Sequence, residues 1–219
     1  MLVCLMRFKN NEGTLARTLD AMPFVDKFIL VNNGSEDSTP DIAAQYPSII
    51  LSTEGFQADR DMNVAYKKAL EIGADWALHM DADEEWETRA ATDFIKLTQQ
   101  DFVAAWTFRK MCFVIYKDFY RVDREWAAFC EPHMQFAWPL LLFRCQPQAY
   151  FEDPRQMEPG CIKNLHGAMR GSDLRVKHWT LDSEEDIERK IAFYRKNSPD
   201  NDYSYLRNDE QATFKRWIE

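Results

Sequence analysis

The first 86 residues alternate between short apolar runs and segments in which apolar residues recur with helical spacing. The runs predict four β-strands, at residues 2–6, 25–31, 49–51 and 76–80. The segments between them predict three helices, of which the longest occupies residues 59–72. Because strands and helices alternate strictly, we expect an α/β fold with a largely parallel sheet and right-handed crossovers.

Polar residues and one glycine mark the ends of these predicted helices. Asn11 is a suitable cap for the first helix, and Thr39 followed by Pro40 is typical of the start of the second. Gly73 follows the last apolar residue of the third helix and is expected to end it. These signals place each helix between two strands, as the alternation requires.

Beyond residue 86 the pattern changes. We expect a helix at 92–98, antiparallel strands and long loops within the aromatic-rich segments 104–120 and 139–144, and a last helix at 183–196. The chain has 219 residues, of which 46% are hydrophobic, and this is enough for one sizeable core. We therefore expect a single domain.

Charge and cysteine content narrow the class of protein. The net charge is -9, so a surface that follows nucleic-acid phosphates is excluded. Five cysteines without CxxC spacing indicate reduced thiols in the cytoplasm. The longest apolar run, 136–143, is too short to span a bilayer, and the start of the chain lacks the features of a signal peptide. We expect a cytoplasmic protein without a transmembrane segment, for which any membrane contact would be peripheral.

Four carboxylates follow the last of the predicted parallel strands, namely Asp81, Asp83, Glu84 and Glu85. In open α/β sheets ligands bind beyond the carboxyl ends of the strands, so we expect these side chains to line that crevice. Carboxylates at such short spacing repel one another unless a cation lies between them. Mg²⁺ and Mn²⁺ prefer ligands of this kind, and either ion can hold a diphosphate.

The chain carries four motifs in a fixed order. They are KNNE at 9–12, NNGSEDST at 32–39, a helix with Arg60 and Asn63, and DWALHMDADEE at 75–85. Together they resemble the family 2 glycosyltransferases, which are inverting nucleotide-sugar enzymes of the GT-A fold. The segment 139–196, with LLLFR, a later Glu and then HW, is similar to the lipopolysaccharide-core type subgroup of that family.

The resemblance implies a GT-A fold, the Rossmann-like fold of nucleotide-diphospho-sugar transferases. This fold has a mostly parallel central sheet and a smaller antiparallel C-terminal part. Within a single domain, residues 1–86 would bind the nucleotide and residues 87–219 would bind the acceptor. The implied partners are a nucleotide-sugar donor and a carbohydrate-bearing acceptor, whose hydroxyl belongs to a glycan, a lipid-linked or a protein-linked molecule.

The resemblance also implies roles for individual residues. Those expected to bind the nucleotide are Arg7, Asn11, Glu12, Asn32, Gly34, Ser35, Asp37, Arg60, Asn63 and Asp81. Those expected to hold Mn²⁺ or Mg²⁺ are Asp81, Asp83 and His178. Many relatives carry an Asp in place of Asn32, and an amide can both donate and accept a hydrogen bond. A UDP-sugar is favoured as the donor, and donors with guanine, cytosine or thymine as the nucleobase are the alternatives.

An inverting transfer needs a carboxylate that takes the proton from the acceptor hydroxyl. Glu158 is preferred, because it lies where the subgroup has a Glu, although Met157 replaces the His that usually precedes it. Asp153, in the sequence FEDP, is the alternative. His79, inside the fourth predicted strand, is expected to be a core histidine.

Two other functions are compatible with parts of this pattern. A non-catalytic nucleotide-binding or glycan-binding module would keep the fold and lack a base. A sugar-phosphate nucleotidylyltransferase would need a glycine-rich loop after the first strand, where this chain has RFKNNE. Turnover of the donor separates an enzyme from a binding module.

Overall fold

The computed structural model describes residues 1–55, 57–114, 119–121, 141–152, 161–181, 188–189, 191–192, 195–196, 214–216 and 218. Its first elements are β1 (Leu2–Phe8), α1 (Leu15–Asp20), β2 (Lys27–Asn32), α2 (Thr39–Ala43), β3 (Ser48–Ser52), α3 (Ala58–Glu71) and β4 (Trp76–Asp81). The predicted alternation of strands and helices is therefore confirmed.

The second half adds one helix and mostly short strands. These are β5 (Glu84–Trp86), α4 (Ala90–Thr98), β6 (Val103–Val114), β7 (Phe119–Arg121), β8 (Leu141–Arg144), β9 (Tyr150–Glu152), β10 (Cys161–Lys163), β11 (Ala168–Leu181) and β12 (Phe214–Arg216). The helix predicted at 183–196 lies mostly outside the described residues, and those of its residues that are described are helical.

One large sheet organises the described part of the chain. β3, β2, β1 and β4 lie side by side in this order and run parallel to one another. β8 lies antiparallel between β4 and β6, and the long β11 pairs in parallel with β6 and antiparallel with β5. β9 and β10 form a separate antiparallel pair. The predicted α/β fold, with a parallel sheet and antiparallel additions, is confirmed.

Both faces of the parallel sheet are covered, so its strands are apolar on both sides. In β1, Cys4 and Met6 belong to the core that includes residues of α1 and α4. Val3 and Leu5 point the other way, into the core that α3 forms together with β9 and β10. These buried faces leave the loops at the strand ends as the places where polar side chains collect.

The helix ends follow the predictions in part. α1 begins after Thr14, and Asn11 instead accepts hydrogen bonds at its main-chain oxygen from the amides of Thr14 and Leu15. A turn therefore precedes the helix, and the predicted cap at Asn11 is wrong. Gly73 ends α3 with a φ of +73°, a conformation that glycine adopts without strain, as predicted.

The described helices include none that combines the length and apolar character needed to cross a bilayer.

Candidate active site

The carboxyl ends of β1, β2 and β4 gather the predicted nucleotide-binding residues at one edge of the sheet. Arg7 in β1 lies beside Asp81 in β4, and the next residue of β1 lies beside Asn32 in β2. Arg7 and the first carboxylate residue of the acidic motif are thus direct neighbours across the two strands. This is the edge at which ligands bind in open α/β sheets.

The loop after β2 is a tight turn built around Asn32. The side-chain oxygen of Asn32 accepts a hydrogen bond from the amide of Ser35 at 2.8 Å. Gly34 lies between them with a φ of +80°, which favours glycine. The hydroxyl of Ser35 accepts from the amide of Asn10 at 3.1 Å. The turn uses one lone pair of the Asn32 oxygen, so Asn32 can offer its NH₂ group and the other lone pair to a ligand.

Two carboxylates join the loops that follow β1 and β2. Asp37 accepts from the amide of Glu12 at 3.2 Å and from the amide of Thr39 at 3.0 Å. Burial raises the pKa of Asp37, but these hydrogen bonds outweigh burial and hold the pKa below its ordinary value. Glu12 accepts from the Ser38 hydroxyl at 2.7 Å, and the amide of Asn11 donates to the Thr39 hydroxyl at 2.8 Å. These side chains thus hold the two loops against each other.

Arg60 is held by a carboxylate that the sequence did not single out. Its Nε and Nη2 donate to Oδ1 of Asp61 at 2.9 and 2.7 Å, and Nη2 also donates to the carbonyl of Gly55. Asp61 is fully buried and also accepts from Nδ2 of Asn33 at 2.8 Å. An Asp next to an Arg is common on helices, so the sequence carried no sign of this buried network.

Asn63 contacts the main chain of a neighbouring strand. Its Nδ2 donates to the carbonyl of Phe151, and its Oδ1 accepts from the amide of the same residue, both at 2.8 Å. Tyr66, one turn further along α3, makes a similar pair of hydrogen bonds with the main chain of Gln146. Asn63 therefore fixes β9 against α3, a role that sequence reasoning did not foresee.

The acidic motif forms a compact turn between β4 and β5. Oε2 of Glu84 accepts from the amide of Asp81 at 2.9 Å, and the carbonyl of Asp83 accepts from the amide of Trp179 at 2.8 Å. The carbonyl of Ala82 accepts from two hydroxyls of α1. We call residues 81–84 the acidic turn.

Three side chains of the acidic turn and β11 converge. One ligand atom from each of Asp81, Glu84 and His178 lies within 4.8 Å of the others. Nε2 of His178 is also 3.4 Å from Oδ1 of Asp83. His178 reaches the acidic turn because β11 pairs with β5, which places it opposite Glu84. The ligand atoms of Asp81, Glu84 and His178 therefore lie close together, Asp83 lies beside His178, and Glu84 and His178 are buried.

Glu85 lies apart from this cluster, which corrects the expectation that all four carboxylates line one crevice. Successive residues of a strand point to opposite faces, so Glu85 faces away from Glu84. Its carboxylate accepts from Lys177 at 3.1 Å and from the indole of Trp179 at 3.0 Å. Arg17 lies over the Trp179 ring at 4.2 Å. Glu85 thus joins β5 to β11 and α1.

Both candidate bases, Asp153 and Glu158, lie outside the described residues, in the segment that connects β9 to β10. His79 is 2% exposed, and its ring contacts Phe151 edge to face at 6.0 Å. The prediction of a core histidine is confirmed. Sequence reasoning placed Glu84 in the crevice but not among the metal ligands, and it missed Asp61 and the hydroxyls of Thr14 and Thr18.

Comparison with known proteins agrees with this geometry. The sequence profile described as Glycosyl transferase family 2 matches residues 4–153, which is more than half of the chain. The crystal structure of S. aureus TarS 1-349 in complex with UDP-GlcNAc has a TM-score of 0.59 at 11% identity, covering 94% of this chain and 69% of that chain. The longer crystal structure of S. aureus TarS has a TM-score of 0.57 at 13% identity, covering 94% of this chain and 41% of that chain. No curated protein sequence matches the chain.

The fold and the family profile define a glycosyltransferase of the GT-A class. The chain belongs to glycosyl transferase family 2, because the family profile covers most of its length. At an identity of 11%, the likeness to TarS shows a shared fold.

Proposed function

We propose that this protein is a metal-dependent inverting glycosyltransferase. It transfers one sugar from a nucleotide-diphosphate donor, with a UDP-sugar favoured, to a hydroxyl of a glycan, a lipid-linked or a protein-linked acceptor. The observation that carries the proposal is the convergence of Asp81, Glu84 and His178 at the carboxyl end of β4, with Asp83 beside His178. The crystal structures of TarS in complex with UDP-GlcNAc and with UDP support the choice of donor.

The residues of the cluster fit a divalent cation. Carboxylate oxygens suit Mg²⁺ and Mn²⁺, and the imidazole nitrogen of His178 favours Mn²⁺. Without a cation, carboxylates at such short distances would raise one another's pKa. We propose that Asp81, Asp83 and His178 hold the ion. Glu84, whose ligand atom lies in the same cluster as those of Asp81 and His178, would hold the turn through its hydrogen bond from the amide of Asp81. The bound ion would act as a Lewis acid that neutralises charge on the departing diphosphate.

The surrounding residues would bind and orient the donor. Arg7, beside Asp81, and Arg60, held by Asp61, supply positive charge near the phosphates. Asn32 offers its NH₂ group and the second lone pair of its oxygen to the base, while the turn uses the first lone pair. We propose that Glu12, Ser35 and Asp37, with Asn11 and Gly34, act mainly by holding the two loops in the shape that receives the nucleoside.

The proton of the acceptor hydroxyl would go to Glu158 or, as the alternative, to Asp153. Both residues follow β9, which Asn63 fixes to α3 through two hydrogen bonds. A positioned base contributes typically about 10²- to 10⁴-fold to such a step. Changing the true base to its amide is expected to abolish transfer and to leave donor binding nearly intact. Full activity of both amide variants would contradict this part of the proposal.

Residues 1–86 form the nucleotide-binding half in this proposal, and residues 87–219 form the acceptor-binding half of the same domain. The lipopolysaccharide-core type subgroup stays the predicted branch of the family, and cytoplasmic location stays a prediction.

The test of the proposal is a thermal-shift panel with UDP, GDP, CDP and dTDP, each with Mn²⁺ and with chelator. A ligand at a hundred times its Kd stabilises the native state by about 2.7 kcal/mol, which is readily measured. We expect a shift with UDP that needs Mn²⁺ and is lost in Asp83→Asn. Asp101→Asn, which changes an Asp that is 96% exposed, is the matched control and should keep the shift.

Donor turnover completes this test. Incubation of the wild-type protein with UDP-sugars and an acceptor extract should release UDP in the presence of Mn²⁺. Binding of UDP without release of UDP would instead favour a non-catalytic module of the same fold. Absence of a shift with every nucleotide would contradict the proposed donor site.

A further inference from the structure

Two threonines of α1 donate hydrogen bonds to one carbonyl of the acidic turn. The hydroxyl of Thr14 lies 2.8 Å from the carbonyl oxygen of Ala82, and that of Thr18 lies 3.1 Å from the same oxygen. A carbonyl oxygen has two lone pairs, so it can accept both bonds at once. Residues four apart share one face of a helix, which explains how both hydroxyls reach one atom.

The two hydroxyls do not make the hydrogen bonds that threonine hydroxyls usually make in helices. Thr14 is the N-cap of α1, where a hydroxyl ordinarily accepts from an amide of the first turn, but it makes no such bond. A threonine within a helix commonly bonds back to a carbonyl of the preceding turn, whereas the hydroxyl of Thr18 donates to Ala82. α1 thus uses both hydroxyls to hold another part of the chain.

The carbonyl that they hold lies between the two carboxylates of the motif. Ala82 separates Asp81 from Asp83, and its side chain is 5% exposed. The ends of the turn are fixed by other groups, since Glu84 accepts from the amide of Asp81 and Trp179 donates to the carbonyl of Asp83. Among the described residues, only α1 holds the middle of the turn through hydrogen bonds to Ala82.

We infer that Thr14 and Thr18 are positioning residues for the cation site. They fix the peptide between Asp81 and Asp83, so that both carboxylates keep their directions although they repel each other before a cation arrives. Thr18 is fully buried and β-branched, and this limits its side chain to few rotamers. The inference rests on the proposed function, because the turn must bind a cation for its shape to matter.

Thr→Val and Thr→Ser substitutions separate the hydroxyl from the shape of the side chain. Valine keeps the shape and removes the hydroxyl, whereas serine keeps the hydroxyl. We expect Thr18→Val and Thr14→Val each to weaken UDP binding at a fixed Mn²⁺ concentration by about fivefold. The reason is that fewer molecules would have the acidic turn in the conformation that binds the cation. The double variant should lose about twentyfold, and Thr18→Ser should recover most of the loss. In the presence of chelator, none of these variants should differ from the wild type in UDP binding.

Thr98→Val is the matched control. The Thr98 hydroxyl donates to carbonyls of its own helix, α4, outside the cluster. This variant should lose stability in urea unfolding and keep the wild-type affinity for UDP and Mn²⁺. Isothermal titration calorimetry on the full chain measures all these affinities, and urea unfolding confirms that each variant is folded. Thr14 is partly exposed, so Thr14→Val tests the inference even if Thr18→Val does not fold.

The outcomes distinguish this inference from the proposed function. If the wild-type protein shows no Mn²⁺-dependent binding of UDP, the proposed function fails and the inference fails with it. If the wild-type protein binds UDP with Mn²⁺ and the folded valine variants bind it equally well, the inference alone is overturned. An equal loss of affinity in Thr98→Val would also overturn it, because the effect would then be general destabilisation.

Discussion

Replacing Asp61 by Asn should destabilise the protein more than its small change in shape implies. Asp61 is fully buried, with one oxygen accepting from Arg60 and the other from Nδ2 of Asn33. An amide has a single acceptor oxygen, so in either orientation its NH₂ group would face a donor, on Arg60 or on Asn33. Asp61→Asn therefore removes a charge-assisted hydrogen bond and creates a contact between two donors.

The expected loss of stability in Asp61→Asn depends on how exposed its partner Arg60 is. Breaking a buried ion pair typically costs about 3–5 kcal/mol, but the Arg60 side chain is 37% exposed, so water recovers part of the loss. We expect Asp61→Asn to lower the free energy of unfolding by about 2–3 kcal/mol. Urea unfolding measures this change, with Asp59→Asn, one residue before Arg60 on the same helix, as the matched control.

A functional measurement accompanies the stability measurement. Because Asp61 holds Arg60 in place, the folded Asp61→Asn variant should also bind UDP more weakly than Asp59→Asn does. If the two variants unfold within about 0.5 kcal/mol of each other, the spread usual for surface substitutions, the assignment of Asp61 as the anchor of this network is refuted.

Three further predictions concern single positions. Gly167→Ala should destabilise the protein strongly, because φ at Gly167 is +126° and the new β-carbon would lie 2.6 Å from that of Ala104. Gly171→Ala is the control and should be tolerated, because the nearest atom to its new β-carbon lies at 3.8 Å. Urea unfolding compares the stability of the two variants. Burial raises the pKa of Tyr66 to about 12. Its neutral form therefore stabilises the fold below pH 10, and this contribution falls as the pH rises toward 12. The difference in free energy of unfolding between wild type and Tyr66→Phe should shrink between these two pH values. His178→Gln should weaken the Mn²⁺-dependent binding of UDP, which calorimetry checks.

The parallel half of the fold could be predicted because its signals are local. The apolar run at 76–80 and the helical spacing at 59–72 correspond to β4 and α3 within one residue at each end. The cap of α1 could not be predicted in the same way. Asn11 and Thr14 are both acceptable caps, and only the turn that precedes the helix decides between them.

The candidate site was predictable in its residue types and only partly in its geometry. Asp81 and His178 converge as the family resemblance implied. The part played by Glu84 depends on the pairing of β5 with β11, which brings together segments far apart in the chain and leaves no periodic pattern in either. The network around Asp61 depends likewise on a contact in space, because Asn33 reaches α3 from the loop after β2.

Because the proposed cation site depends on the pairing of β5 with β11, we expect it to form late in folding. Glu85 and Trp179, which are hydrogen-bonded across this pairing, are 94 residues apart in sequence. Contacts of such long range form slowly, because the chain must lose the entropy of closing a large loop first. A chain that has folded only as far as β5 contains the residues of the acidic turn and lacks His178. A cation held by both segments would act as a cross-link, so that metal binding and completion of the fold stabilise each other.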